Sequence, residues 1–330
     1  MCCFVHIFGI ISVSAKGGMA MKKTYYKHVS KADGLALDVV RVEPDNASEV
    51  KGIVQLVHGM VEYKERYLPF MEFLAENGYI TVIHDHRGHG ASVKSKDDLG
   101  YMYEGGYVAL VKDTHDITKE IKAYAKDLTG KDLPFTLLGH SMGSMVVRCY
   151  IRKFDKDIDK LCVIGCPSKQ AGMKLGVMVI RLIEKFKGER ARVPFISGLV
   201  MGSYEKRFAK EKLPHSWVNS NQEEVRKYNA DPLCNYMFTL NGFENLVKLT
   251  MLTYKDGGHV MENPKLPIRF FSGSDDPCAI NEKSFRAAIN FLKKQGYVNV
   301  DGKMYPGMRH EILNEPGKHE VFDDILHFIG

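Results

Sequence analysis

The sequence predicts an α/β protein with a mostly parallel central sheet, helices on both sides of it and an inserted helical cap. Two observations predict this fold class. Strand-like apolar runs alternate with segments of helical spacing through most of the 330 residues, and short connections join them, as in parallel sheets covered by helices. The alternation stops after Pro167 and resumes near residue 266, which indicates a helical insertion into the sheet domain.

Each element follows from its local pattern. Strands are predicted where apolar residues alternate or run continuously, at residues 35–42, 52–59, 79–90 with the turn that ends this segment, 135–139, 160–167, 266–276 and 298–305. Helices are predicted where apolar residues recur on one face, at residues 67–78, 107–128, 142–154, 281–296 and after Pro316. Gly78 ends the first of these helices because glycine readily adopts the conformation that closes a helix.

These elements define three parts of the chain. Residues 23–167 and 241–330 are expected to form the core, and residues 168–240 the cap. The first twenty residues contain an apolar run that is too short to span a bilayer, and the first lysine follows that run instead of preceding it as in a signal peptide. We therefore expect residues 1–22 to be an extension outside the core, with a membrane-contacting N-terminus as the alternative.

Composition excludes several classes of protein. A hydrophobic content of 45% and a charged content of 26% are ordinary for a globular protein. The net charge of +6 is spread along the chain, so no nucleic-acid partner is expected. Seven cysteines without a C-x-x-C motif indicate free thiols in a reducing compartment, and hence a cytoplasmic location. No G-x-G-x-x-G motif follows a strand, and no cofactor is expected.

A G-x-S-x-G motif joins a predicted strand to a predicted helix. Its residues are Gly139, His140, Ser141, Met142 and Gly143. In this context the two glycines permit a turn so tight that it strains the serine backbone and presents the hydroxyl above a helix N-terminus. Ser141 is therefore a candidate nucleophile. The alternative is a glycine-rich turn whose serine only caps the helix.

A serine nucleophile needs a base and an acid that orients the base. In a strand–turn–helix setting the chain order is serine, acid, histidine. Asp275 and Asp276 follow the predicted strand 266–276, and His310 lies in the loop before the last helix. Either aspartate is a candidate acid and His310 is the candidate base. A turn signal before Pro277 and an exposed loop histidine are the alternative interpretations.

An acyl-transfer site also needs two backbone N–H donors for the developing oxyanion. Met142 directly follows the serine and is the first candidate. Met60, in the loop after strand 52–59, is the second, and the preceding Gly59 allows the backbone to approach closely. The alternative is that His58 and Gly59 form a plain turn at the end of the strand.

The segment "HDHRGHG" invites a metal interpretation. His84, His86 and His89 lie close together in sequence, and Asp85 adds a carboxylate. Their spacing matches no common zinc pattern, and a glycine-rich turn does not readily converge three imidazoles. No metal site is therefore expected.

Residues 173–187 form the strongest amphipathic pattern in the chain. Leu175, Met178, Val179, Leu182, Ile183 and Phe186 recur at helical spacing. This helix either packs on the core or forms a lid over an acyl pocket, with surplus apolar surface in contact with lipid. Methionines adapt to irregular apolar walls, and the candidates for such a wall are Met60, Met142, Met173, Met178, Met201 and Met237.

Five segments in order carry a resemblance to a known family: "LVHGMVEYKERY", "HDHRGHGAS", "GHSMGS", "SGSDDP" and "MRHEILNE". From about residue 24 onward the chain resembles the α/β-hydrolase family, in particular its monoacylglycerol lipases and lysophospholipases. The resemblance implies Ser141, Asp276 and His310 as the catalytic residues, with Asp276 favoured over Asp275 because the acid follows G-S-x. It also implies that Asp85 and Arg87 stabilise loops near the site. Met60-Val61 departs from the family pattern, which often has M-G after H-G.

The resemblance implies a serine hydrolase that cleaves a carboxylic ester, with a monoacylglycerol or a lysophospholipid as substrate and transient membrane contact through the cap. Two alternatives remain open. A peptidase that releases N-terminal proline needs acidic cap residues, for which Glu205, Glu223 and Glu224 are candidates. A non-catalytic binding protein on the same scaffold is the other alternative.

Overall fold

The computed structural model describes residues 6–13 as a strand and residues 21–330 in full. Most of the segment expected to be an N-terminal extension, residues 1–5 and 14–20, lies outside the described residues. Within that segment, residues 6–13 run antiparallel to the next strand at the edge of the sheet.

Nine strands form one sheet in the order β1-β2-β3-β5-β4-β6-β7-β8-β9. Their bounds are β1 His6–Val13, β2 Met21–Val29, β3 Ala36–Pro44, β4 Gly52–Val57, β5 Tyr79–His84, β6 Phe135–His140, β7 Lys160–Ile164, β8 Ile268–Gly273 and β9 Val300–Tyr305. The pairs from β5 to β9 are parallel and the three pairs at the other edge are antiparallel. The predicted mostly parallel sheet is confirmed. Strand β2 had no prediction, because its lysines interrupt the apolar alternation.

Nine helices surround the sheet in the described part of the chain. They are α1 Leu68–Glu76, α2 Gly106–Thr129, α3 Met142–Phe154, α4 Met173–Lys187, α5 Pro194–Arg207, α6 Gln222–Ala230, α7 Leu240–Thr253, α8 Glu282–Gln295 and α9 Lys318–Ile329. None of them has both the length and the apolar character that a bilayer crossing requires. The helices predicted at 142–154 and 173–187 coincide with α3 and α4.

The core lies on both faces of the sheet. In β4, Ile53 and Val57 join the apolar cluster under α2, α3, α7 and α8, whereas Val54 and Leu56 join the cluster under α1 and α9. This alternation is the period of two that a strand imposes on its side chains. Because both faces are covered, the central strands are buried along their whole length, as their continuous apolar sequences predicted.

The predicted insertion lies between β7 and β8. Residues 165–267 contain four helices, α4 to α7, and no strand. The residues of α4 and α5 are mostly exposed, but Ile180 and Ile196 are buried against the core. A division into core and cap at residues 168 and 240 stays a prediction.

Candidate active site

Ser141 lies at a strained turn between β6 and α3. Its backbone has φ 53° and ψ −116°, a conformation that residues other than glycine rarely adopt. A side chain on Gly143 would collide with the carbonyl oxygens of Val57 and His58, so the turn can approach β4 only with glycine there. The Ser141 side chain makes no capping hydrogen bond to α3. The turn therefore presents the hydroxyl outward instead of using it as a helix cap.

His310 and Asp276 meet at the ends of β9 and β8. The imidazole Nδ1–H donates to Asp276 Oδ1 over 3.0 Å, and both side chains are buried. The same oxygen accepts the Cys278 backbone N–H over 2.8 Å. Burial opposes the Asp276 charge, but His310 and this N–H hold the pKa of Asp276 below its ordinary value. Asp275 contacts the neighbouring Ser274 instead.

Ser141 and His310 line the same cavity. Among the described residues, no hydrogen bond joins the Ser141 hydroxyl to the imidazole. His310 Nε2 instead lies 3.9 Å from the Cys278 sulfur. Burial, reinforced by Asp276, raises the pKa of the Cys278 thiol well above its ordinary value. The thiol therefore stays protonated and neutral beside the imidazole.

Glu62 holds the loop that carries Met60. Its Oε1 accepts the Gly59 N–H, and it also accepts the Tyr67 hydroxyl over 2.9 Å. Met60 and Met142 both line the cavity beside Ser141. Neither of their backbone N–H groups donates to another group in the described part of the chain. Met60 and Met142 thus border the same cavity as Ser141, and their role as oxyanion donors stays a prediction.

His140 connects this loop to His310. Its Nδ1–H donates to Glu62 Oε1 over 3.0 Å, and its Nε2–H donates to the His310 carbonyl oxygen over 3.2 Å. Burial alone would lower the pKa of His140, because it disfavours the charged imidazolium. The neighbouring Glu62 carboxylate has the larger effect and raises the pKa. Glu62 therefore favours the protonated form of His140. The pair joins the loop after β4 to the loop after β9.

The other motif residues, Asp85 and Arg87, make buried contacts with neighbouring loops. Asp85 is fully buried and accepts the Lys64 N–H over 2.7 Å and the Ala91 N–H over 2.8 Å. Arg87 is also buried, and it donates to Asp113 and Asp33. The predicted supporting role of Asp85 and Arg87 therefore has a concrete basis in these contacts.

The histidines of "HDHRGHG" pack against each other. His84 and His86 meet edge to face, 4.9 Å between ring centres, and the His86 N–H donates to His58 Nε2 over 2.9 Å. Burial lowers the pKa of His58, His84, His86 and His89. Their imidazoles are thus neutral groups buried where β4 and β5 end.

The cavity beside Ser141 is mostly apolar and has a volume of about 270 Å³. The cap supplies much of its wall, including Met173, Leu199, Met201, Tyr204, Trp217 and Met237. Met178, which was expected to line such a wall, is instead exposed on the outer side of α4. The Trp217 indole lies 5.1 Å from the His310 ring, so the cap reaches the candidate base directly.

Sequence reasoning missed three residues of this site. Glu62 follows Gly59 by three positions, a spacing that suits a side chain returning to a loop N–H, and this signal was available. The link from His140 to His310 and the approach of Cys278 to His310 had no signal in the sequence, because their partners lie more than 30 positions away.

Comparison with known proteins identifies the family. The family described as serine aminopeptidase, S33, matches residues 48–317. The monoacylglycerol lipase of Mycolicibacterium smegmatis is 22% identical over 285 residues, covering 86% of this chain and 89% of that protein. A phospholipase of Bacillus subtilis is 23% identical over 278 residues, covering 82% of this chain and 92% of that protein.

A solved structure, a thermostable carboxyl esterase from Bacillus coagulans in complex with glycerol, is 26% identical with a TM-score of 0.82. The alignment covers 93% of this chain and 97% of that one. Since the family match spans most of the sequence, the chain has the α/β-hydrolase fold and belongs to the family described as serine aminopeptidase, S33.

Proposed function

We propose that this protein is a serine hydrolase that cleaves the carboxylic ester of a single-chain lipid, either a monoacylglycerol or a lysophospholipid. One observation carries the proposal. Ser141 with its strained backbone, His310, and the two residues Met60 and Met142 line the same apolar cavity, and the buried Asp276 contacts His310 from behind that lining. This is the set of groups that acyl transfer through a serine requires.

In the proposed reaction, the Ser141 oxygen attacks the ester carbonyl carbon while His310 Nε2 takes the hydroxyl proton. The carbonyl oxygen becomes an oxyanion that the Met60 and Met142 N–H groups bind. The ester C–O bond then breaks, and His310 returns the proton to the departing alcohol. Water, deprotonated by His310, releases the carboxylic acid from Ser141. Asp276 keeps the Nδ1 proton in place, so that Nε2 is the basic nitrogen.

The shape and lining of the cavity support a lipid substrate. Methionine, leucine and aromatic side chains form a large part of its wall, and burial of an acyl chain against such side chains is favourable. The names of similar proteins, a monoacylglycerol lipase, a phospholipase and a carboxyl esterase, agree with an ester substrate. The choice between a glycerol and a phosphate head group is left to the experiment.

Ser141→Ala tests the proposal. The variant should lose hydrolysis of nitrophenyl esters and monoacylglycerols, and it should no longer react with a fluorophosphonate probe, while its circular dichroism spectrum and melting temperature stay near those of the wild type. Turnover retained by Ser141→Ala would contradict the mechanism. Wild-type protein that fails to react with the probe would favour a non-catalytic binding protein.

A peptidase that releases N-terminal residues is the second candidate, and the description of the matching family favours it. Such an enzyme needs a free carboxylate to hold the substrate amine. Glu205 accepts the Trp217 indole N–H over 3.0 Å, and Glu223 and Glu224 are exposed near Lys227. Rates measured with an aminoacyl naphthylamide and with a monoacylglycerol separate the two candidates.

We also propose that residues 168–240 act as a cap that contacts lipid. Four apolar side chains on α4 are more than half exposed: Leu175, Met178, Leu182 and Phe186. Phe195 and Leu199 of α5 add to this exposed apolar surface. Basic residues occur among them on α4, which suits an anionic membrane surface. This contact is consistent with a cytoplasmic protein that binds membranes transiently.

A further inference from the structure

Three side chains whose donor atoms can bind a metal ion meet beside the cavity. Asp276, Cys278 and His310 each offer a donor atom, and these atoms all lie within 4.8 Å of one another. All three side chains are at least nine-tenths buried. Among the residues that the structure describes, this is the one group of three or more such side chains that could hold a metal ion.

The separation of the donors suits a tetrahedral ion. Zinc binds sulfur at about 2.3 Å and imidazole nitrogen at about 2.0 Å, which places the two ligand atoms roughly 3.6 Å apart at a tetrahedral angle. Cys278 Sγ and His310 Nε2 are 3.9 Å apart, so a shift of a few tenths of an ångström completes the geometry. Both residues line the cavity, which is the route by which an ion would reach them.

The sulfur of Cys278 and the ring nitrogen of His310 indicate which class of ion the site would bind. Thiolate and imidazole together favour soft or borderline divalent cations, whereas magnesium and calcium prefer sites made only of oxygen. Asp276 adds a carboxylate oxygen on the other side of the imidazole, where it already accepts the Nδ1–H. A carboxylate in that position fixes the tautomer that exposes Nε2 to a metal.

We infer that Cys278 and His310, supported by Asp276, form an inhibitory site for zinc or cadmium. On binding, the Cys278 thiol releases its proton to solvent, and the thiolate and the Nε2 lone pair each form a bond to the ion. The bound ion occupies the nitrogen that the proposed reaction needs as a base. Metal binding itself does not depend on the proposed function, but inhibition rests on it.

The test compares two cysteine variants. In Cys278→Ser the thiolate ligand is lost. The matched control is Cys149→Ser, also a buried free thiol, whose sulfur lies 3.4 Å from the Thr253 hydroxyl, a contact that serine can keep. All proteins carry serine at positions 2 and 3, because Cys2 and Cys3 lie outside the described residues and would offer competing thiols.

Cadmium is titrated without substrate, and ultraviolet absorption reports thiolate–cadmium bonds. We expect one equivalent to bind with a charge-transfer band in the parent and in Cys149→Ser, and an affinity lower by more than about 100-fold in Cys278→Ser. Equal affinity in the two variants, or binding without the band, would overturn the site.

Inhibition is measured separately, relative to the uninhibited rate of each variant. Zinc should inhibit the parent and Cys149→Ser at the same concentrations, with full reversal by EDTA, and Cys278→Ser should resist it. If cadmium binds as expected but no variant hydrolyses esters, the proposed function fails and the metal site stands. If esters are hydrolysed and zinc inhibits both variants equally, the inhibitory site is wrong and the function stands.

Discussion

Two buried carboxylates hold the loops on either side of Ser141. Asp276 accepts the His310 imidazole and the Cys278 N–H, and Glu62 accepts the Gly59 N–H and His140. A buried carboxylate is costly unless donors satisfy it. The loops that supply these donors must therefore keep their positions, because otherwise a buried carboxylate would lose its hydrogen bonds.

The structure distinguishes the two candidate aspartates, and kinetics can test the distinction. Asp276→Asn should lower kcat by about 10⁴-fold, because an amide at this position no longer stabilises the tautomer with a basic Nε2. Asp275→Asn is the matched control and should keep a kcat near the wild-type value, since Asp275 makes no contact with His310. Equal losses in both variants, measured with a nitrophenyl ester, would mean that the acid is assigned wrongly.

Glu62 should make the protein's stability depend on acid pH. Burial raises the pKa of Glu62, but His140 outweighs it and lowers the value from 4.5 to about 2. Since the folded-state value lies below the unfolded one, the stabilisation is present above about pH 4.5 and is lost as pH falls toward 2. Glu62→Gln should therefore lower the free energy of unfolding by about 3 kcal/mol at pH 7 and flatten its decline between pH 5 and pH 2.

Urea unfolding at a series of pH values measures this difference. Glu76→Gln, at an exposed position at the end of α1, is the control and should follow the wild-type curve. A Glu62→Gln curve parallel to the wild-type curve throughout the acid range would show that Glu62 does not titrate in this way.

At the scale of elements, α4 differs from the other helices in how few of its residues are buried. Of its 15 residues only Ile180 is buried, with Val179 and Ile183 packed partly against the core. The predicted apolar stripe therefore divides into an inner side, which holds the helix in place, and an outer side, which faces solvent. The inner side packs on the core, as one interpretation of this helix expects, and lipid contact through the outer side stays a prediction.

The exposed side of α4 should bind membranes. Phe186→Ser and Leu182→Ser should each weaken sedimentation with anionic phospholipid vesicles by about tenfold or more, because burial of such a side chain contributes about 1.5–3 kcal/mol. Val298→Ser removes an apolar side chain of similar exposure, 65% compared with 60% for Leu182, far from the cap in sequence. A similar loss for Val298→Ser would mean that the binding is not specific to the cap.

At the scale of the whole molecule, the sheet brings the candidate site residues together at one edge. Parallel strands β4, β6, β8 and β9 end at the same edge, and their following loops carry Met60, Ser141, Asp276 and His310. Residues 168–240, the predicted cap, contribute to the cavity wall at this edge through helices that bury few side chains. The candidate catalytic groups therefore lie on the most buried part of the fold, and part of the cavity wall lies on its least buried helices.

Hydrogen exchange should show this contrast. Amides of α4 and α5 should exchange about 100-fold faster than those of β6 and α3, because few buried apolar contacts oppose their local opening. Helix α3, which is buried over most of its length, is the internal reference for a helix of similar size. Equal protection of α4 and α3 would contradict a cap that opens independently of the core.

The sequence alone determined the elements and most of the candidate site. Period-two and helical patterns are local properties of the chain, so they located β3 to β9 and most helices, with ends that differ by a few residues. The motif around Ser141 is also local, and chain order then indicated His310 and the aspartate pair. Strand β2 was not predicted, because its lysines interrupt the apolar alternation that identifies a strand.

Only the tertiary structure decided how these parts meet. It placed Asp276, and not Asp275, against His310, linked Glu62 through His140 to the His310 loop, and brought Cys278 beside the imidazole. It also separated the inner from the outer side of α4. These results depend on contacts between residues far apart in the chain, and the local spacing of residues carries no information about which distant side chains the packing of the sheet will bring together.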